Sequence, residues 1–387
     1  MLSTLSEPVL AEVRVSEKKT FLIKRISAVV FVLLVFLFLY QITVILLLRV
    51  PVSSESKPFS GKDWMNPYQS GDWNVRSEKI ALHIHTDEVW YTPERHSVEE
   101  IESVYSKNGY SLVGISDYGR ETQTKRFPWL RGFEWGLNVK KRHVLAIGGT
   151  DDVSDFFPVY GSRENLTWTF QKMRSHGSYV IIAHPKLHSS FSRQELEAVS
   201  GYNAIEVFSP YGDDTKILDS LLSKGRNVHC MASDDLHYFP EKTIQSFSQS
   251  WWKDLLQKIM FVRGREGESL LRYISTSHSR NTPELVRRDL ETGSFFCVKK
   301  FFREGEDPKL PDIKIQNDTI VMTGGERYLE VKWIGENGEI KRLDPDTDRS
   351  SYNLKEADRY VRLEIVGLTG KILSNAIYRY ETIPNPN

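Results

Sequence analysis

The chain has 387 residues, 40% of them hydrophobic and 26% charged, enough to build a sizeable core in more than one domain and too apolar for wholesale disorder. Lys plus Arg and Asp plus Glu balance at 51 each, which excludes a globally basic nucleic-acid binder, although not a local basic groove. Two cysteines, Cys230 and Cys297, lack CxxC spacing and cannot make a disulfide framework; they read as packed core thiols.

Residues 1–25 form a basic N-terminal segment, and Ile26 to Leu48 follow without a charge. At about 1.5 Å per residue, such a run matches a hydrocarbon core of roughly 30 Å. It is longer than the apolar region of a signal peptide and leads into Arg49 without a small-residue cleavage site. Residues 26–48 are therefore expected to be an uncleaved transmembrane helix. Arg14, Lys18, Lys19, Lys24 and Arg25 precede it, against Arg49, Lys57 and Lys62 after it. This bias predicts a cytoplasmic N-terminus and a periplasmic or extracellular remainder. Residues 49–78, polar and scattered with Ser, Gly and Pro, read as a linker.

From residue 79 the pattern is strand, loop and helix, repeated. Strands are expected at 80–85, 112–117, 132–135, 143–148, 179–184, 204–208 and 228–233. Helices are expected after the caps Ser97, Ser162 and Asp213 or Asp214. This alternation predicts an α/β domain with parallel strands, and a barrel is one such form. Trailing helices, including Trp251-Trp252, carry the domain to about residue 300. Residues 311–387 break into short alternating segments divided by Gly-rich turns and read as a small antiparallel, sandwich-like β-domain.

The chemistry-bearing residues fall at the strand ends. In Leu82-His83-Ile84-His85 the two imidazoles share one face of a strand. Asp117 ends the next apolar run, Glu134 follows Gly132-Phe133, His143 opens a run, and His184 closes Val180-Ile181-Ile182-Ala183. Asp235-Leu236-His237 closes the last. Carboxyl ends of parallel strands converge on one mouth. Imidazoles and carboxylates gathered there suit zinc, manganese or iron.

His83-Ile84-His85-Thr86, Gly132-Phe133-Glu134, His143, Ala183-His184-Pro185 and Asp235-Leu236-His237 resemble, in order, the motifs of the PHP (polymerase and histidinol phosphatase) family. The resemblance covers residues 79–239, under half of the chain. It implies a distorted (β/α)7 barrel that hydrolyses phosphate esters with bound metals. It makes His83, His85, Glu134, His143, His184, Asp235 and His237 metal ligands, with Glu134 bridging two ions. His83, His85 and Asp235 would hold one ion, and His143 and His184 the other. His237 belongs to a third-metal position in trinuclear members. Tyr118 stands where the family often has a histidine, and residues 87–93 lack the usual ligand after the paired histidines. Two divalent ions are thus expected rather than three. His96 reads as a surface residue, and Asp117 as an orienting carboxylate or a weak ligand.

The resulting expectation is a membrane-anchored, metal-dependent hydrolase acting on a small phosphate ester, with Asp235, His237 and Asp117 as candidates for proton handling. The alternative is a non-catalytic metal- or ligand-binding module. A nucleic-acid substrate is not expected, given the neutral charge and the apolar segment. Lys140, Lys141 and Arg142 read as a solvated loop, Glu206 as part of a hydrogen-bond network below the metals, and Trp251-Trp252 as a helix packed on the barrel.

Overall fold

A computed structural model describes residues 7–52, 57–75, 77–94, 96–237, 239, 251–253, 255, 268–278 and 281–381. The chain divides into two compact units, Met1–Arg49 and Val50–Asn387. The first is one helix, α1 (Glu7–Leu47). Its stretch Thr20–Leu47, starting earlier than the run read from the sequence, is long and apolar enough to cross a membrane, a test that a signal sequence also passes.

The second unit is a mixed α/β fold. In chain order it contains β1 (Asp63–Met65), β2 (Glu78–Ala81), α2 (Val98–Lys107), β3 (Tyr110–Val113), β4 (Gly132–Trp135), β5 (Val144–Ile147), α3 (Arg163–Ser175) and β6 (Tyr179–Ile182). It continues with α4 (Arg193–Ala198), β7 (Ala204–Ser209), β8 (Gly212–Asp213), α5 (Thr215–Ser223), β9 (His229–Ala232), β10 (Arg272–Thr276), α6 (Pro283–Thr292) and β11 (Phe296–Lys300). The last strands are β12 (Asp312–Gln316), β13 (Thr319–Ile334), β14 (Ile340–Asn353), β15 (Tyr360–Val366), β16 (Gly370–Ser374) and β17 (Ile377–Tyr380). The helices start where side-chain oxygens replace missing backbone partners. Ser97, Ser162 and Ser192 each close a capping box, and Asp214 caps α5. Pro283 opens α6 and Gly293, at φ +74°, ends it.

These strands form two open sheets rather than one closed (β/α)7 barrel. One sheet has six strands, in the order β4-β5-β6-β7-β8 with β9 on β7. The other has eleven and runs β1-β17-β15-β16-β11-β10-β2-β3, with β12, β13 and β14 attached through β15. The sheets touch through two isolated parallel bridges, Ile84 to Leu236 and Tyr118 to Glu134. Pairing is parallel for β2–β3, β6–β7 and β7–β9, but antiparallel for β4–β5 and β5–β6. The connection across residues 136–143 is too short for the crossover that parallel pairing needs.

Other expectations change as well. The stretch read as a linker carries β1, and its Tyr68 and Trp73 are buried against Phe296. Their aromatic surface joins the interior despite polar neighbours in sequence. The strands from 312 onward share a sheet with β2 and β3. Strand β10 lies within the stretch read as helical, which ends on α6; much of the rest of it, including 240–250 and 256–267, is outside the described residues. Cys230 and Cys297 are joined as a disulfide between β9 and β11, with Cα atoms 6.3 Å apart. A separation of 67 residues gave no sign of that proximity.

His229, at the start of β9, is enclosed, and its Nδ1 accepts a hydrogen bond from the Tyr179 hydroxyl at 2.8 Å. Burial pushes its pKa down to about 4, only partly offset by its hydrogen bond to Leu290. A folded pKa below the unfolded 6.5 means that the fold favours the neutral ring. Its stabilising contribution is complete above pH 6.5 and lost as pH falls toward 4. Thermal melts of the chain from pH 7 to pH 4 should show a steady fall in Tm, and His229→Gln should flatten that slope.

Candidate metal centre

Past Ala81 and Val113 the ladder between β2 and β3 loosens, and the chain carries His83, His85 and Asp117 toward the six-stranded sheet. Gly114 N–H still donates to Ala81 O at 2.7 Å, and Ser116 N–H to Ile84 O at 2.9 Å. Across the join, His85 N–H donates to Leu236 O at 2.9 Å. This seam aims side chains from both sheets at common points.

Two groups of donors result, with Glu134 in both. His83, His85, Glu134 and Asp235 form one; Glu134, His143 and His184 form the other; all these residues are buried. His83 Nε2 lies 3.0 Å from Asp235 Oδ1 and 3.3 Å from Glu134 Oε1. His85 Nε2 lies 3.0 Å from Glu134 Oε2 and 3.3 Å from Asp235 Oδ1. His143 Nδ1 and His184 Nε2 approach Glu134 Oε1 at 2.8 and 3.4 Å. These contacts are short, yet none of the atoms makes a well-formed hydrogen bond. Nitrogen and oxygen donors thus converge on shared centres instead of on one another. Buried donors in that state fit divalent cations, and mixed imidazole and carboxylate sets suit zinc, manganese or iron.

The electrostatics favour positive charge. Burial alone would raise the pKa values of Glu134 and Asp235, but His143 and His83 hold the first, and His83 and His237 the second, well below the ordinary range. Both are therefore ionised acceptors. Burial alone would lower His83, yet Asp235, Glu206 and Glu134 raise it well above the usual imidazole range. His143 goes down, because burial outweighs the pull of Glu134.

A second layer orients the donors. Glu206, at the centre of β7, lies 2.7 Å from His83 Nδ1 through Oε1 and accepts the His184 N–H at 2.7 Å through Oε2. Donating Nδ1–H to Glu206 turns the His83 Nε2 lone pair toward the cluster. Asp117 lies outside both donor groups. Its oxygens accept from Thr86 N, Thr86 Oγ1 and Thr122 Oγ1 at 2.5–2.6 Å. It holds the turn after His85. His237 stands at the edge, with Nε2 3.4 Å from Asp235 Oδ1 and Nδ1 2.6 Å from Glu94 Oε1. Two donor residues hold unusual backbone, His184 at φ +25° and Asp235 at φ +46°. Strain of this kind, typically about 1–3 kcal/mol per residue, persists where surroundings over-determine it.

Several residues depart from their sequence reading. His96 is buried, not superficial; its Nε2 accepts the Phe239 N–H at 2.9 Å, away from the donor groups. Tyr118 stacks on His85 at 4.6 Å between ring centroids. Arg142 is buried, donating to Gly161 O at 2.7 Å and pairing with Glu195, so it is neither a solvated loop residue nor a substrate contact. Trp251 is exposed, and the ring of Trp252 lies 6.3 Å from that of Trp90. Glu94 and Tyr211 were missed. Glu94 sits one residue beyond the segment searched for a ligand, immediately after Pro93. Tyr211 carries no motif.

No family model matches the chain, and no curated protein matches it. Among solved structures, a two-domain protein from Bacteroides vulgatus ATCC 8482, described as containing a predicted PHP-like metal-dependent phosphoesterase, aligns with 83% of this chain and 98% of its own. The TM-score is 0.40 and the identity 12%.

Replacing Glu134 by Ala should abolish cation uptake at both donor groups, measured by elemental analysis after dialysis. Glu206→Ala should leave every donor atom in place but weaken cation affinity by about 10–100-fold in calorimetric titration.

Proposed function

We propose that this chain is a metal-dependent hydrolase of small phosphate esters, working through two divalent cations shared across Glu134. The observation that carries the reading is the pair of buried donor groups with one carboxylate in common. The order of the motifs, which resembles that of the PHP family, supports it. Cations held there would lower the pKa of a bound water and stabilise the charge that develops on phosphoryl oxygens.

The chain's own residues divide the remaining work. His83, His85 and Asp235 would hold one cation and His143 and His184 the other. His237 is the least enclosed of these imidazoles, with 15% of its side chain exposed. Burial opposes its protonation, while Glu94, 2.6 Å from Nδ1, favours it. Held by Glu94, it is the proton donor to the leaving group, while Asp235 serves as a ligand.

The same reading places α1 across a membrane, with the N-terminus in the cytoplasm and the α/β unit outside. The basic residues before the apolar stretch support this orientation, and so does the Cys230–Cys297 disulfide, since such bonds persist in oxidising compartments. Alkylating thiols in intact cells before denaturation should leave both cysteines unmodified until a reductant is added; prompt labelling would count against the outward orientation.

The direct test is turnover of a chromogenic phosphate monoester by the full chain in detergent. Activity should vanish with a chelator, return with added zinc or manganese, and fall by more than about 100-fold in Glu134→Ala. A second reading, a non-catalytic cation-binding module, draws on the two departures from the family pattern, at Tyr118 and in residues 87–93. Cation uptake without turnover of any mono-, di- or carboxylester would select it.

A further inference from the structure

Tyr211 lies on the two-residue turn between β7 and β8, where Ser209 pairs with Gly212 and Phe208 with Asp213. Three contacts fix that turn. Tyr211 N–H donates to Ser209 Oγ at 3.3 Å. Gly212 adopts φ +125°, a backbone region that side-chain-bearing residues rarely enter. Asp213 is held from the other sheet by Lys299 of β11 at 2.7 Å and Lys371 of β16 at 3.5 Å. The phenol therefore sits on a braced hairpin rather than a free loop.

From there it reaches both donor groups. Its hydroxyl donates to Asp235 Oδ2 at 3.0 Å, and its ring centroid is 5.1 Å from that of His184. The two oxygens of Asp235 have different surroundings. Oδ1 faces Nε2 of His83, His85 and His237 at 3.0, 3.3 and 3.4 Å. Oδ2 faces the Tyr211 hydroxyl, with His184 Nε2 further off at 3.7 Å. A carboxylate with both oxygens free can clasp a cation with both. One whose second oxygen is taken by an O–H donor offers only the first.

We propose that Tyr211 is a positioning residue that keeps Asp235 a one-oxygen ligand, and so keeps a coordination position open on the cation held by His83 and His85. This rests on the cation-binding reading of the site but not on the substrate class. Without the hydroxyl, Asp235 Oδ2 turns inward, and the position that water or substrate needs is filled by protein.

The test compares the full chain in detergent with Tyr211→Phe, which removes one oxygen and keeps the ring against His184. Both are loaded with cobalt(II), whose visible spectrum reports coordination number and geometry. Tyr211→Phe should bind the same number of ions, with a visible band of lower intensity, as expected for a higher coordination number. Where an ester is turned over, kcat should drop by about 10–100-fold with KM unchanged. Cobalt spectra of wild type and Tyr211→Phe that superimpose would overturn the proposal, whatever the activity. A spectral change in a chain that hydrolyses no ester would support it while removing the phosphoesterase reading. Failure of the wild type to take up cobalt would overturn both.

Discussion

Glu134 has no exposed atom, and Asp235, Glu206, Glu94 and Asp117 are buried close to it. Taking a carboxylate out of water costs several kcal/mol unless positive charge or hydrogen bonds replace the lost hydration. Much of the site can be understood as five answers to that demand. Asp117 is satisfied by two threonines, Glu206 by His83, Ser233 and a backbone N–H, and Glu94 by His237. Glu134, Asp235 Oδ1 and the second oxygen of Glu94 are the exceptions, buried without a hydrogen bond, and imidazoles surround the first two. Divalent cations would complete the balance beside Glu134 and Asp235, the carboxylates of the two donor groups.

The two sheets serve this balance at their seam. The six-stranded sheet carries one whole donor group, with Glu134 on β4, His143 before β5 and His184 after β6; the other group joins Glu134 and Asp235, which follows β9, to His83 and His85 from the end of β2. Two single bridges hold the edges together, Ile84 to Leu236 and Tyr118 to Glu134, and each contains or adjoins a donor residue. The eleven-stranded sheet contributes more than edge covering. β2 rests on β10, β10 on β11, and β11 on β16, so the late strands brace the segment that aims the paired histidines. Lys299 and Lys371 extend that bracing to the β7–β8 hairpin.

Local signals were legible wherever one residue type or a period of two decided the outcome. Ser97, Ser162 and Asp214 announce their helices, and His83 and His85 announce a shared face. β4 was read at its observed limits. What escaped depends on partners distant in sequence. The polar run of β14 shows no apolar alternation, because β13 pairs with it along most of its length while much of it stays exposed. Tyr68 and Trp73 appear to belong to a linker until Phe296 is placed beside them. Sheet closure could not be read either, since antiparallel β4–β5 and parallel β6–β7 pairs have similar apolar strands. At the candidate site, the directly facing residues carry motif spacing, whereas Glu94 and Tyr211 are ordinary in sequence and significant only by position.

The Cys230–Cys297 bond encloses every residue from Met231 to Phe296. Proteolytic nicking of the backbone beyond Phe239 but before Cys297 would yield two polypeptides, not two separable fragments. The first would retain every side chain of the two donor groups, together with His237. The second would retain β11 and the late strands that brace them, still tethered covalently to β9. A two-chain form of this molecule can therefore keep its centre assembled without an intact backbone.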